Sequence, residues 1–279
     1  MILDPRVPKL EDGIRTKNPK ASRPMFKKDA ANLTGKNWRH LRIARADDIV
    51  EVALHSDGGP LHWTGRAGVE LNRLFAALSE DEAAKVLILG GTGDKFCASS
   101  ATFDFTRIPW SAVWAGQQAM LGKLIELNLI VIAAVNGPVL FHPEIPLMAD
   151  IVLACPEAEF AELGHFPRGM VPGDGAQLIM QRLIGSSRMR YFYLSQQRIG
   201  AAEAERLGFV HESMARDALL PRARELARRI ANRPAAMLAL SKSALRTRDR
   251  RSFHRDLSHS MAIEGLAVAA SQVEPGAAA

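Results

Sequence analysis

Apolar residues in this chain follow two patterns that alternate along its first two-thirds. The runs at 85–91 (KVLILGG), 129–137 (LIVIAAVNG) and 149–160 (ADIVLACPEAEF) are short and continuous, as strands buried on both faces are. Upstream, 40–56 (HLRIARADDIVEVALHS) divides into two short strands around the turn-prone Asp47-Asp48 pair. Between the strands, 66–79 (RAGVELNRLFAALS) and 111–127 (SAVWAGQQAMLGKLIEL) repeat apolar residues at helical spacing. Strand and helix in alternation predict an α/β core with a mostly parallel sheet and right-handed crossovers.

From Ala176 the pattern becomes almost wholly helical. Segments at 176–185, 187–197, 201–208, 217–233, 234–246 and 259–270 each read as a helix, with Gly185, Gly200 and Gly208 as stops. Residues 1–37 carry Pro, Lys, Asp, Asn and Gly without sustained periodicity and read as a flexible basic arm. The organisation expected is an arm over 1–37, an α/β core over 38–200 and a helical C-terminal region over 201–279.

The formal charge of +6 raises the question of nucleic acid. The excess sits in the arm and on helical segments where Arg alternates with apolar residues, which is the pattern of solvated faces, so no nucleic-acid partner is expected. Two cysteines, Cys97 and Cys155, in apolar strand-like contexts predict free thiols and a reducing compartment. No signal-peptide core and no long apolar window is present, and a cytoplasmic protein with no membrane partner is the expectation.

Two stretches concentrate the chemistry: 136–150 (NGPVLFHPEIPLMAD) and 161–177 (AELGHFPRGMVPGDGAQ). Each follows a buried strand, where an open α/β sheet places its ligand crevice. Pro143 suits the first position of a short helix, whose free amides and dipole near His142 can hold a developing oxyanion. Asp174, between a Pro-Gly turn and a helical run, reads equally as an N-cap and as a functional acid. His142 and His165 read either as loop histidines bonded to backbone or as catalytic groups. Neither HExxH nor CxxC occurs, so no metal is expected, and 90–96 (GGTGDKF) lacks the spacing of a phosphate loop.

Several ordered motifs, 85–98, 131–139, 148–160, 169–176 and 200–212, resemble the crotonase (enoyl-CoA hydratase/isomerase) superfamily over about residues 40 to 270. The resemblance implies a spiral of ββα units, a C-terminal helical region that builds a trimer or a dimer of trimers, and an oxyanion hole of two amides, near Ala98 and near His142. One hydratase glutamate position is retained as Glu144, while the second is His165. The stretches containing FHPEIP and GHFPRGMVPGDGA resemble one branch, the β-diketone hydrolases typified by 6-oxocamphor hydrolase. That branch splits a carbon-carbon bond of a cyclic 1,3-diketone without coenzyme A or another cofactor. Its catalytic His and Asp fall on His165 and Asp174, its second His on His142, its C-terminal Glu on Glu264 and its substrate-contacting Trp on Trp63. Phe141 and Glu144 are expected beside the substrate as well. The residues around Ser99 to Thr102 depart from the branch.

Such a site would let His165 take a proton from water while Asp174 fixes its tautomer, as in a triad with water replacing serine. Three classes of function stand at this point: the carbon-carbon hydrolase, a coenzyme A hydratase or isomerase using Glu144, and a non-catalytic assembly protein of the same fold. Pocket shape, and with it the substrate, is expected to depend on scattered aromatics: Phe103, Phe105, Trp110, Trp114, Phe141 and Phe166.

Overall fold

The computed structural model describes residues 33, 37–101 and 107–273, with side chains described through residue 270. The basic arm, apart from Leu33 and Asn37, and the pocket candidates Phe103 and Phe105 lie outside the described residues. Strands β1 (Leu41–Ala46) and β2 (Ile49–Leu54) form the expected antiparallel hairpin, turned at Asp47 in the left-handed region (φ 53°). After β3 (Leu61–Trp63), Thr64 caps α1 (Gly65–Ser79) through its side chain. The chain continues through β4 (Val86–Gly91), β5 (Cys97–Ser100), α2 (Trp110–Glu126), β6 (Ile130–Val135), the single-turn α3 (Glu144–Leu147), β7 (Ile151–Ala154) and β8 (Glu159–Phe160).

The main sheet has the order β1-β2-β4-β6-β7 and ends on β10 (Glu212–Ser213), all pairs after the hairpin being parallel. Alternate residues of its central strands face two separate cores, which is why those strands read as continuous apolar runs. Leu87, Leu89, Val131 and Ala133 belong to the larger core with Leu71, Phe75 and Leu78 of α1 and Leu121 and Leu124 of α2. Val86, Ile88, Ile132 and Ala134 belong to the smaller core with Leu219, Ala223 and Ala227 of α6 (Arg216–Ala231). Two short pairs, β3 with β5 and β8 with β9 (Ile199–Gly200), are linked through bridges at Val139. They lie beyond what the periodicity predicted, because strands of two to four residues show no pattern.

The punctuation of the helical region follows expectation only in part. Gly185, with φ 79° and ψ 157°, breaks α4 (Ala176–Leu194) into two helical segments across a kink, the stop expected there. Gly200 opens α5 (Ala201–Arg206) as its N-cap, while Gly208, at φ 84°, does follow the end of a helix. The two C-terminal segments are one helix, α7 (Ala235–Val273), of 39 residues. The stretch between them continues the helix because Phe253, Leu257 and Met261, at helical spacing, pack into the larger core. Among the described residues no helix is long and apolar enough to cross a membrane.

Candidate active site

Loops leaving β6 and β8, the start of α4 and one turn of α7 converge on a cavity of about 480 Å³. Leu140 and Phe141 both donate their N–H groups to the Cys97 carbonyl, at 2.8 and 3.3 Å, which pins the chain entering His142 beside β5. His142 then adopts the left-handed region (φ 52°), unusual for a residue with a Cβ and a mark of a locally imposed geometry. Its ring stacks on Trp63 at the end of β3, with centroids 3.9 Å apart and planes at 30°.

A second close approach brings the acidic groups in. A Cβ at Gly173 would lie 2.5 Å from the Ser260 carbonyl oxygen and 2.7 Å from Glu264 Cβ, so glycine is what lets this loop press against α7. The Ser260 hydroxyl donates to the Gly173 carbonyl at 3.0 Å. Asp174 follows directly and enters the cavity wall. Gly175, at φ 104°, is the N-cap of α4, so Asp174 is not the cap that its position before the helix suggested. It is free to face two imidazoles.

His142 Nδ1 lies 2.8 Å from Glu144 Oε1 and 3.4 Å from Asp174 Oδ2. His165 Nδ1 lies 2.9 Å from Glu162 Oε1, and its Nε2 lies 3.2 Å from Glu264 Oε1 and 3.7 Å from Asp174 Oδ2. Asp174 therefore acts on both rings chiefly through its charge, while Glu162 and Glu264 hold His165 by hydrogen bonds. The Gly164 N–H also donates to Glu162 Oε1, at 2.8 Å, fixing that carboxylate. All four carboxylates and His165 are buried. Glu144 Oε2, Glu162 Oε2, Asp174 Oδ1 and Glu264 Oε2 have no hydrogen-bond partner among the described residues.

Four carboxylates against two imidazoles leave an excess of negative charge in a poorly hydrated place, and the protonation equilibria respond. Burial disfavours an imidazolium at His165, but the Asp174 charge and the bonds to Glu162 and Glu264 outweigh it and raise its pKa well above the usual range. Burial likewise opposes charge on His142, and Glu144 and Asp174 overcome it, so that pKa is raised too. Burial and the Asp174 charge push Glu144 up to about 7 despite His142. Glu264 is raised by burial against the pull of His165.

Of the residues singled out in the sequence, His142, His165, Asp174, Glu264, Trp63, Phe141 and Trp110 line the cavity. Glu144 does not: it lies fully buried behind His142, with Oε1 taken up by that ring. Ala98 is on β5 and also off the wall, as are Trp114 and Phe166, both partly exposed. Glu162 was not anticipated. Its signal was faint, a lone acid in the otherwise apolar stretch before His165, three residues from a histidine. The ligand atoms of His142, Glu144 and Asp174 lie within 4.8 Å of one another, the one such group among the described residues with spacing that could hold a metal ion. The remainder of the wall is mostly apolar, with Val69, Ile108, Val113, Met120, Met170 and Met261, and with Asn72 and Gln117 as neutral polar groups.

Residues 66–270 match the enoyl-CoA hydratase/isomerase family. Carnitinyl-CoA dehydratase of Salmonella arizonae is 31% identical over 216 residues, covering 75% of this chain and 81% of that one. A beta-diketone hydrolase from the cyanobacterium Anabaena, solved with (S)-3-oxocyclohexyl acetic acid bound, superposes with a TM-score of 0.80 at 31% identity, over 84% of this chain and 96% of that one. An enoyl-CoA hydratase/isomerase from Mycobacterium paratuberculosis shares the fold, with a TM-score of 0.74 at 21% identity over 82% and 93% of the two chains. The αβ architecture, the convergent loops and these likenesses together place the chain in the enoyl-CoA hydratase/isomerase family, within the crotonase superfamily.

Proposed function

We propose that the protein is a β-diketone hydrolase, which adds water to one carbonyl of a cyclic 1,3-diketone and breaks the bond to the central carbon to give a keto acid. The observation that carries this reading is the position of Glu144. The carboxylate that a hydratase would aim at its substrate is instead buried behind His142, and the wall presents two imidazoles and the acids around them.

In this reading His165 keeps a proton on Nδ1 and donates it to Glu162 Oε1, which leaves Nε2 as the nitrogen that addresses water. When the ring is an imidazolium, its Nε2 proton is shared with Glu264, 3.2 Å away, whose own affinity for a proton is raised by burial. With that proton on Glu264, neutral His165 accepts one from water as oxygen attacks the carbonyl. Asp174 stabilises the resulting imidazolium through its charge. Collapse of the adduct breaks the carbon-carbon bond and moves the electron pair onto the second carbonyl as an enolate. His142, held cationic by Glu144 and Asp174 and stacked on Trp63, donates to that oxygen from Nε2. Glu264 or His165 returns a proton to carbon, and the net change is addition of one water. The family resemblance also supports a trimer, for which α7 offers the exposed Leu240, Leu245 and Leu266.

A coenzyme A dehydratase or hydratase is the second reading, favoured by the 31% identity to carnitinyl-CoA dehydratase. Assaying His165→Ala, Asp174→Asn and Glu144→Gln on both a bicyclic 1,3-diketone and a short enoyl-CoA separates the two. The hydrolase predicts that wild type cleaves the diketone and that His165→Ala and Asp174→Asn lose that activity. Turnover of the enoyl-CoA alone, abolished by Glu144→Gln, would overturn it.

A further inference from the structure

Arg168 is the one lysine or arginine among the described residues that line the cavity, and the catalytic scheme leaves it unused. It ends the 3-10 turn Phe166–Arg168, whose first N–H···O contact runs from Arg168 N to the His165 carbonyl at 2.8 Å. Arg168 and the proposed base therefore sit on one short turn. Its Cζ lies 4.8 Å from the centroid of Phe141, itself a wall residue, so the head group is held over the cavity rim by a cation–π contact. The acids on the wall are occupied elsewhere: Glu162 and Glu264 bond His165, and Asp174 faces both imidazoles. Arg168 has no carboxylate partner among the described residues, and it is exposed enough for its fork of donors to meet a ligand.

We propose that Arg168 is a carboxylate-binding residue at the mouth of the cavity, which makes an organic acid the class of ligand that the site retains best. The proposal rests on the hydrolase reading for its biological sense, since that reaction creates a carboxylate beside Asp174 and Glu264, where like charge repels it. A guanidinium resting on Phe141 at the rim gives the anion a planar two-donor partner in the same cavity. The carboxylate has two possible sources, the acid formed by cleavage and an acid group already on the substrate ring.

Calorimetric titration with 3-oxocyclohexylacetate and with its methyl ester tests the subsite without turnover. Wild type is expected to prefer the acid by about tenfold, Arg168→Ala to lose the preference, and Arg168→Lys, which keeps charge but not the fork, to retain part of it. Equal affinities in wild type, or a preference that survives Arg168→Ala, overturns the proposal. The ratio of kcat/KM for a carboxylated over a neutral cyclic diketone then identifies the source. A ratio that falls in Arg168→Ala points to the substrate's own acid, and an unmoved ratio with weakened acid binding points to the product. Wild type that prefers the acid yet cleaves neither diketone sinks the hydrolase reading and leaves the carboxylate subsite standing.

Discussion

Replacing Glu162 by Gln separates charge from geometry at His165. Glu162 Oε1 accepts from both the Gly164 N–H and His165 Nδ1, so the glutamine carbonyl oxygen inherits both bonds and the amide has one favoured orientation. What disappears is the negative charge. A hydrogen bond to a charged group is worth about 1.5–3 kcal/mol and a neutral one about 1, so the imidazolium loses on the order of 1–2 kcal/mol of preferential stabilisation. At about 1.36 kcal/mol per pKa unit, the His165 pKa falls by roughly one unit from its raised position. The base form exists above the pKa, so kcat/KM of wild type should rise with pH through a value above 6.5, and the rise should move about one unit toward acid in Glu162→Gln. The plateau above it should fall, because a weaker base accepts the proton from water less readily. The assay is a pH profile of diketone cleavage between about pH 5 and 10, paired with an NMR titration of the histidine ring protons. A rise that stays in place or moves toward alkali refutes the role given to Glu162, and a profile flat across the range refutes His165 as the base.

Three other outcomes follow from the same geometry. Asp174→Asn and His165→Ala should each lower kcat by about two to four orders of magnitude, with the double variant little worse than either, when diketone cleavage is measured under saturation. His142→Ala should lower kcat by roughly a hundredfold to a thousandfold if it holds the enolate oxygen, with the fold checked by circular dichroism. Glu144 binds its proton more tightly folded than unfolded, so its contribution to stability is fully present below about pH 4.5 and is lost as pH rises toward 7. Melting curves should therefore show Glu144→Gln gaining a few degrees on wild type between pH 5 and pH 8, and a difference that shrinks over that interval contradicts the assignment.

The central strands of the sheet were readable because they are buried on both faces, leaving no polar position to blur the run at 86–91 or 130–135. The punctuation of the helical region was less readable. Glycine at 185, 200 and 208 carries one sequence signal but interrupts the helical geometry at 185 and 208 and opens a helix at 200, a difference the residue type alone does not encode. The same holds at the site. His142, His165 and Asp174 stood out because polar residues cluster between turn signals, yet the spacing could not say which acid each ring would meet. Asp174 looked like a cap because it precedes a helix, and only the left-handed Gly175 shows that the backbone caps α4 without it. Glu162 was hidden for the opposite reason, being a single acid in an apolar loop whose partner is reached by a tight turn. Glu264 lies 99 residues from His165, a distance only the fold can close.

Hydrolysis of a bicyclic 1,3-diketone in ¹⁸O-labelled water, followed by mass spectrometry, tests the central claim most directly. The account predicts a keto acid heavier than the substrate by one water, with a single ¹⁸O placed in its carboxylate, and no such product from His165→Ala. Recovery of unchanged diketone, alongside a short enoyl-CoA that gains labelled hydroxyl in the same preparation, would contradict it.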